Sequence, residues 1–167
     1  MPMDSTLPMR PIGVIRTPYA ALEGMPIQPG GARESLGQVV LEPELAPALA
    51  DVTGFSHVYL LYCFHQSTGY KTTVTPYLDD TPRGLFATRA PKRPNPIGLS
   101  VVEVVSVEGN VLTVRGADML DGTPLIDIKP YAPAFDAPAG PVRSGWLEGR
   151  GQTVGDTRSD DRFVGPD

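Results

Sequence analysis

The amino-acid sequence predicts a mostly-β domain, a barrel or a sandwich, with one short helix and an irregular C-terminal tail. Glycine and proline are abundant, with 18 and 19 copies among 167 residues, nearly twice their usual combined share of about 12%. Both residues interrupt helices and favour turns. Short strand-like runs separated by turn residues recur along the chain, whereas one segment has the apolar spacing of a helix. Many short strands with one helix are typical of β-barrels and β-sandwiches.

The first half of the chain is predicted to hold two strands and the helix. Strands are expected at residues 11–17, which a proline ends, and at residues 38–42. The helix is expected at residues 43–52, whose apolar side chains share one face although Pro47 limits its regularity. The intervening residues 19–36 form a long irregular loop, and loops of this length are usually functional or disordered.

The second half gives stronger strand signals. Residues 55–64 are almost continuously apolar, so a strand buried on both faces is expected there, with weaker strands at 72–78 and 85–88. A hairpin is predicted at residues 99–115, because two valine-rich runs flank the turn sequence Glu-Gly-Asn. A last strand is expected at residues 125–131.

The chain is predicted to divide into a loose lead at residues 1–9, one domain at 10–135 and an irregular tail at 136–167. The tail has little apolar surface to bury, so partial disorder is expected. No signal peptide is visible, and the longest apolar run is far shorter than the ~20 residues of a membrane helix. The sequence therefore predicts a soluble cytoplasmic protein without a membrane partner.

The residue types present argue against several kinds of site. The single cysteine, Cys63, excludes an internal disulfide. His57, Cys63 and His65 alternate onto one strand face, but at ~3.3 Å per residue the first two lie roughly 20 Å apart, so no metal site is predicted. Gly-x-Ser-x-Gly, Gly-x-Gly-x-x-Gly and P-loop motifs do not occur in the sequence, which disfavours the hydrolase and nucleotide sites built on them.

The charge is acidic overall but unevenly distributed. The net charge of −5 gives no general attraction to DNA or RNA. Residues 83–102 nevertheless carry four cations and no anion, and three closely spaced prolines stiffen the same stretch. A polyanion would therefore have to meet this face of the protein. The stretch is either a rigid edge loop with solvated charges or a site, since rigidly held loops often carry function.

A second dense segment covers residues 121–131. Its Asp-Gly-Thr-Pro sequence predicts a tight turn that leads into a strand. Asp127 and Lys129 are two residues apart and so share a strand face. They form either an ordinary surface ion pair or part of a polar site for a ligand.

These two segments carry a resemblance to a known family. The chain resembles the TsaA/TrmO family of β-barrel S-adenosylmethionine-dependent tRNA methyltransferases. The resemblance covers roughly residues 10–135. Its longest matching strings are Ile-Gly-Val-Ile-Arg-Thr-Pro-Tyr from residue 12, Arg-Pro-Asn-Pro-Ile-Gly-Leu-Ser from residue 93 and Asp-Gly-Thr-Pro-Leu-Ile-Asp-Ile-Lys-Pro-Tyr from residue 121.

The resemblance implies a single antiparallel β-barrel, a homodimer and methyl transfer from S-adenosylmethionine to N6 of an adenosine in tRNA. In that family the acceptor is the threonylcarbamoyl-modified adenosine next to the anticodon. Many bacterial members continue into a C-terminal domain, whereas 32 residues follow Phe135 in this chain, as in the short forms. Two alternatives stay open: a methyltransferase that acts on a small molecule, and a non-catalytic module that binds S-adenosylmethionine.

The resemblance also implies site residues, carried over motif by motif. Cofactor contacts are expected at Pro26, Ile27, Gln28, His65, Gln66, Arg89, Leu99, Leu120, Asp121, Gly122 and Thr123. A carboxylate of the cofactor suits Arg89, and ribose hydroxyls suit short polar residues such as Asp121 or Thr123.

Methyl transfer to an amine depends mainly on positioning, with a base to collect the proton. The candidate bases are Asp127, Asp121 and Tyr131. Lys92, Arg93 and Lys129 are expected to bind RNA phosphates.

Overall fold

The computed structural model describes residues 6–21, 23, 25 and 33–150. The strands are β1 (Gly13–Arg16), β2 (Leu36–Leu41), β3 (His57–Cys63), β4 (Thr73–Val74), β5 (Arg83–Gly84), β6 (Ile97–Glu108), β7 (Val111–Arg115) and β8 (Thr123–Pro130). An α-helix, α1, covers Pro133–Asp136, and 3₁₀ helices lie at Pro43–Leu49, Val52–Gly54, Leu85–Ala87 and Gly145–Leu147.

Six of these strands form a closed barrel in the order β1-β2-β7-β6-β3-β8, with antiparallel pairing throughout. The pairing of β1 with β8 closes it and places Ile15 opposite Thr123. Strands β4 and β5 pair separately, on the long crossover between β3 and β6. The prediction of a mostly-β antiparallel barrel is confirmed.

The core fills the barrel because inward side chains alternate with outward ones along each strand. The inward residues Ile15, Val39, Leu60, Leu112 and Leu125 have no exposed surface, and full burial of one such side chain stabilises the fold by about 1.5–3 kcal/mol. Strand β3 alternates between buried and half-buried residues. The expectation of burial on both its faces is wrong, because the outer face of a barrel strand is turned towards solvent.

Three predicted elements differ from the structure. The helix expected at residues 43–52 is two 3₁₀ segments, which Asp51 separates with a left-handed φ of 65°. Pro47 lacks an N–H and so cannot continue an α-helical ladder. The strand expected at 72–78 shrinks to the two residues of β4, and residues 85–88 begin with a 3₁₀ turn.

The hairpin predicted at residues 99–115 is confirmed as β6 and β7. Gly109, in the connection, has a φ of 59°, a conformation that glycine adopts without strain.

Strand β8 contains a bulge beside β3. Tyr62 pairs with Leu125 and Leu61 pairs with Asp127, so Ile126 has no opposite residue. Downstream of the bulge, Ile128 pairs with the inward residue Leu60 and packs against the core. Asp127 and Lys129 therefore lie on the outer face.

We call the barrel end where β1, β3 and β7 finish the upper end, and the opposite end the lower end. At the upper end the loops are tied together by backbone hydrogen bonds from Phe64 to Pro96 (2.8 Å) and from Gly116 to Ser35 (2.9 Å). At the lower end, Glu42 donates its N–H to the carbonyl of Ile12 (3.0 Å). The chain segments with most of the predicted site residues lie at the upper end.

The described part of the predicted tail, residues 136–150, contains a single 3₁₀ turn and contacts the barrel crossover. The division of the chain at residues 10 and 135 stays a prediction. None of the helices in the described part of the chain combines the length and the apolar character that crossing a bilayer requires.

Candidate functional site

A chain of hydrogen bonds runs through the upper end of the barrel. The hydroxyl of Ser100 lies 2.6 Å from Oδ1 of Asp118, and the hydroxyl of Tyr62 lies 3.0 Å from that of Ser100. Tyr62 and Ser100 point inward and are buried, whereas Asp118 keeps some exposure at the rim. Gly98 permits this packing, because a Cβ there would collide with the ring of Tyr62.

Burial perturbs the titration of this chain. It raises the pKa of Asp118 from 3.8 to about 6, although the hydrogen bond from Ser100 and the charge of Arg89 both oppose the rise. Burial and the nearby charge of Asp118 also raise the pKa of Tyr62 far above its ordinary value. Tyr62 is therefore a neutral donor. Strongly perturbed groups in a cleft are candidates for functional residues.

Sequence reasoning did not find Asp118. In the sequence it is an acidic residue in a loop, and the Asp-Gly-Thr-Pro turn that follows it is the stronger signal. The available clue is its apolar setting, since Ala117 and Met119 on either side are both buried.

Arg89 lies on a tightly braced turn of the crossover. The hydroxyl of Thr88 donates to the carbonyl of Leu85 (2.8 Å), and Arg93 donates to the carbonyls of Thr88 (2.9 Å) and Ala90 (3.2 Å). These contacts fix the backbone on both sides of Arg89, whose side chain is exposed. Its positive charge lowers the pKa of both Tyr62 and Asp118, against the effect of burial.

The crossover is also held from outside by residues 145–150, which we call the C-terminal strap. Trp146 donates its indole N–H to the carbonyl of Ala87 (2.8 Å), and the guanidinium groups of Arg83 and Arg150 lie 5.6 and 5.7 Å from the centroid of its ring. Asp79 accepts hydrogen bonds or ion pairs from both arginines, at 2.6 and 2.9 Å.

The loop before β8 is joined to the end of β1. Asp121 accepts a hydrogen bond from the backbone N–H of Thr17 (3.0 Å) and lies 3.5 Å from Arg16. The hydroxyl of Thr123 donates to the carbonyl of Leu120 (2.7 Å). Gly122 has a φ of 78°, and its N–H donates to the carbonyl of Ile15. Asp121 and Thr123 therefore help to shape the rim of the upper end.

The other expected cofactor residues divide into three groups. His65 and Gln66 are exposed and follow β3 at the upper end. Leu99 is 48% exposed and sits on the outer face, beside Leu61. Pro26, Ile27 and Gln28 lie outside the described residues.

The structure does not bring the three candidate bases together. Asp121 is at the upper end, whereas Asp127 lies on the outer face, where it pairs with Lys129 (2.7 Å) and accepts the N–H of Ile128. Asp127 also borders an apolar cavity of about 350 Å³ at the lower end. Tyr131 packs edge-on against His57 and Tyr59 at that same end.

The predicted RNA-binding cations also have different surroundings. Lys92 is 6% exposed, so its side chain is buried in this conformation, and its assignment to RNA binding stays a prediction. Arg93 is half-buried over the ring of Phe86 and braces the Arg89 turn. Lys129 keeps a largely exposed side chain on the outer face.

Among the described residues, no group of three histidine, cysteine, aspartate or glutamate side chains is arranged to hold a metal ion. Cys63 is a free, half-buried thiol.

Comparison with known proteins gives a consistent match. The model of the tRNA-methyltransferase O N-terminal domain family matches residues 14–137. A probable S-adenosyl-L-methionine-binding protein of Pyrococcus abyssi is 47% identical over 154 residues, covering 92% of this chain and 83% of that protein. The tRNA (adenine(37)-N6)-methyltransferase of Escherichia coli is 40% identical over 139 residues, covering 77% of this chain and 59% of the enzyme.

Among solved structures, TrmO from Pseudomonas aeruginosa matches with a TM-score of 0.71 and 40% identity, covering 85% of this chain and 63% of that one. The chain therefore spans less than two thirds of the length of the two bacterial enzymes.

Proposed function

The chain belongs to the tRNA-methyltransferase O N-terminal domain family, and from this premise we propose that it is an S-adenosylmethionine-dependent methyltransferase acting on N6 of an adenosine in tRNA. The proposed acceptor is the threonylcarbamoyl-modified adenosine next to the anticodon, in the cytoplasm. The supporting observation is that three segments far apart in the sequence come together at the upper end of the barrel. They carry the expected cofactor contacts at residues 65–66, Arg89 and residues 120–123.

The residues at this end fit the proposed cofactor. S-adenosylmethionine carries a carboxylate, an ammonium and a sulfonium group beside an adenosine. The upper end offers a guanidinium at Arg89 and a partly buried carboxylate at Asp118, whereas the hydroxyl of Thr123 is buried and donates to the carbonyl of Leu120. A site with charges of both signs suits a ligand that also carries both.

The cofactor supplies the activated methyl group when it is bound. The residues of the chain then have to hold the acceptor amine in line with that group, and such positioning can contribute ~7–11 kcal/mol. We retain Asp121 as the proposed proton acceptor, because it lies at the upper end with a side chain that is 39% exposed. Asp127 and Tyr131 remain alternative candidates on the outer face and at the lower end of the barrel.

We also propose that the protein acts as a homodimer and binds tRNA transiently. The outer face of β6 exposes Ile97, Leu99 and Val105 by 41 to 48%, and a second copy would cover such apolar surface. Lys129 and Arg16 replace Lys92 as proposed phosphate contacts, because their side chains are 61% and 56% exposed. Sedimentation of the purified protein tests the dimer, and a monomer at micromolar concentration would contradict it.

A direct test combines methylation with cofactor binding. Purified protein is incubated with S-adenosylmethionine and tRNA from a strain that lacks the activity, and the nucleosides are analysed. We expect one methylated threonylcarbamoyl-adenosine, and a ten- to hundredfold weaker cofactor affinity for Arg89→Ala than for the exposed control Arg143→Ala. Equal affinities of the two variants would contradict the cofactor assignment.

The second candidate is a non-catalytic S-adenosylmethionine-binding module. It is favoured by the names of the archaeal relatives, such as the Pyrococcus abyssi protein, which mention binding and no transfer. Cofactor binding without methylation of tRNA would support this alternative. Methylation of a small acceptor alone would support a small-molecule methyltransferase.

A further inference from the structure

The ring of Phe86 is exposed on a rigid turn of the crossover. The residue is 81% exposed and lies in the middle of a 3₁₀ turn. On one side of the turn, the hydroxyl of Thr88 donates to the carbonyl of Leu85 (2.8 Å). On the other side, the indole N–H of Trp146 donates to the carbonyl of Ala87 (2.8 Å). An exposed aromatic side chain therefore stands on a backbone that separate contacts hold in place.

A guanidinium group lies over the ring. The central carbon of the Arg93 guanidinium is 5.7 Å from the ring centroid of Phe86, a distance at which a cation is attracted to a π system. Arg93 is itself held, because it donates to the carbonyls of Thr88 (2.9 Å) and Ala90 (3.2 Å). Since most of Phe86 is nevertheless exposed, the ring face opposite Arg93 is open to solvent.

The surroundings of the ring are positively charged. Residues 83–102 carry four cations and no anion, and the exposed Arg89 follows Phe86 by three positions. An apolar protein surface that covered the ring would also have to cover this charge, which is unfavourable. A nucleic acid instead offers a flat base for the ring and phosphates for the cations. Single-stranded nucleic acids are commonly bound by aromatic rings that stack on bases within a positively charged surface.

We propose that Phe86 stacks on an unpaired base of the tRNA, close to the adenosine that is methylated. Arg93 is a positioning residue that holds the ring and adds positive charge behind it. The base is close to the acceptor because Arg89, an expected cofactor contact, lies on the same turn. A paired base has no open face, so the ligand is a loop whose bases can turn outward. The assignment rests on the proposed function, which supplies that loop.

Phe135 provides a matched control. It is 89% exposed, slightly more than Phe86. It lies in the short helix α1, which follows β8 at the lower end of the barrel, and the next residue is Asp136. If any exposed ring attracted RNA, the two phenylalanines would matter equally. A stacking site built by the crossover turn makes Phe86 alone important.

The test measures binding of an anticodon stem-loop RNA by fluorescence anisotropy. Loss of one stacking ring in Phe86→Ala should weaken binding about five- to a hundredfold. Phe86→Tyr keeps the ring and should bind close to wild type, and Phe135→Ala should match wild type. Because the ring of Phe86 carries no charge, the slope of log affinity against log salt should be the same in all four proteins.

A second set of RNAs locates the base, with each loop nucleotide in turn replaced by an abasic site. At one position the abasic loop should bind wild type as weakly as the intact loop binds Phe86→Ala. The two changes together should weaken binding no more than either alone, because they remove the two halves of one contact. Arg93→Lys keeps the charge but loses the planar group over the ring. It should weaken the intact loop severalfold and leave this abasic loop unaffected.

Several results would overturn the inference. They are a lack of loop binding by wild type, an unchanged affinity in Phe86→Ala, an equal loss in Phe135→Ala and additive losses at every abasic position. An equal loss of S-adenosylmethionine affinity in Phe86→Ala would assign the ring to the cofactor instead. Altered sedimentation of Phe86→Ala would assign it to a contact between copies of the chain.

The binding measurements are independent of methyl transfer. Loop binding that depends on the ring of Phe86, without methylation of tRNA, would remove the proposed function alone. Methylation of tRNA together with wild-type loop affinity in Phe86→Ala would remove this inference alone.

Discussion

Trp146 donates its indole N–H to the carbonyl of Ala87, which lies 59 residues earlier in the chain and two residues before Arg89. The strap that contains Trp146 thus holds the turn that carries a predicted cofactor contact. The cation–π contacts of Arg83 and Arg150 with the same ring complete the contact.

Substitution of Trp146 should weaken cofactor binding from a distance. Trp146→Ala removes the hydrogen bond and both cation–π contacts, so the Arg89 turn loses its outer support. We expect about a tenfold loss of S-adenosylmethionine affinity, with a smaller loss for Trp146→Phe, which keeps a ring. Calorimetric titration measures both, with the exposed Val142→Ala as control. Wild-type affinity in Trp146→Ala would show that the strap does not support the turn.

Replacing the carboxylate of Asp79 by an amide should lower the free energy of unfolding more than the same change at an exposed carboxylate. Burial alone would raise the pKa of Asp79, but Arg150, Arg83 and two backbone N–H groups together hold that pKa well below its ordinary range. Such a group adds stability above pH ~4 that is lost as the pH falls towards the folded-state pKa. Because Asp79→Asn removes the carboxylate that both arginines share, we expect a clear loss of stability at pH 7 in urea unfolding, larger than that of the control Glu103→Gln.

The matched control for Asp79 is Glu103→Gln. Glu103 also pairs with an arginine, Arg115, at 2.9 Å, but its side chain is 43% exposed. An exposed pair contributes at most about 1 kcal/mol. Similar losses for the two variants would contradict the importance of burial at Asp79.

Ionisation of Asp118 should lower the free energy of unfolding, whereas ionisation of Asp79 raises it. Burial raises the pKa of Asp118 from 3.8 to about 6, so its stabilising contribution is complete below pH ~4 and is lost as the pH rises through 6. Asp118→Asn removes this dependence. Between pH 4 and pH 8 the cofactor-free variant should gain on the order of 2 kcal/mol relative to wild type, as measured by urea unfolding.

The groups around Asp118 influence its titration. Ser100 and Tyr62 approach it from β6 and β3, and the charge of Arg89 approaches from the crossover. A constant difference between variant and wild type across the pH range would show that Asp118 does not titrate near 6. A gain in stability together with weaker cofactor binding would identify Asp118 as a residue kept for its ligand.

The salt dependence of tRNA binding should distinguish the role of Lys129 from that of Lys92. If tRNA phosphates contact Lys129, Lys129→Ala should reduce the slope of log affinity against log salt by about 0.7. Lys92 is buried, so Lys92→Ala should lower the free energy of unfolding and leave the slope unchanged. Filter binding across a salt series gives the slopes. A reduced slope for Lys92→Ala alone would move the phosphate contact to the crossover.

Local patterns were sufficient for parts of this fold. The β6–β7 hairpin was predictable because both strands and the turn at Gly109 lie within one short stretch of sequence. The barrel itself is not local: β1 and β8 close it by pairing Ile15 with Thr123, and no periodicity within either strand specifies that partner. The family resemblance supplied the barrel, since alternation alone left a sandwich equally possible.

The site was predictable to a similar degree. Motif agreement predicted cofactor contacts at Arg89 and residues 120–123, and that assignment stays a prediction. Asp118 and the burial of Lys92 escaped sequence reasoning, because both depend on how a loop folds across a distant strand. Charge counting treated Lys92 as a surface cation, although a long aliphatic stem allows a lysine to be buried.

The bulge at Ile126 has a consequence for changes in chain length. Because Leu125 and Asp127 already pair with consecutive residues of β3, deletion of Ile126 would turn the bulge into a regular ladder and leave the flanking side chains on their present faces. A one-residue insertion between Asp127 and Lys129 would instead turn Lys129 towards the barrel interior, where a charged group is very unfavourable. Position 126 is thus where β8 can lose a residue without inverting its two faces.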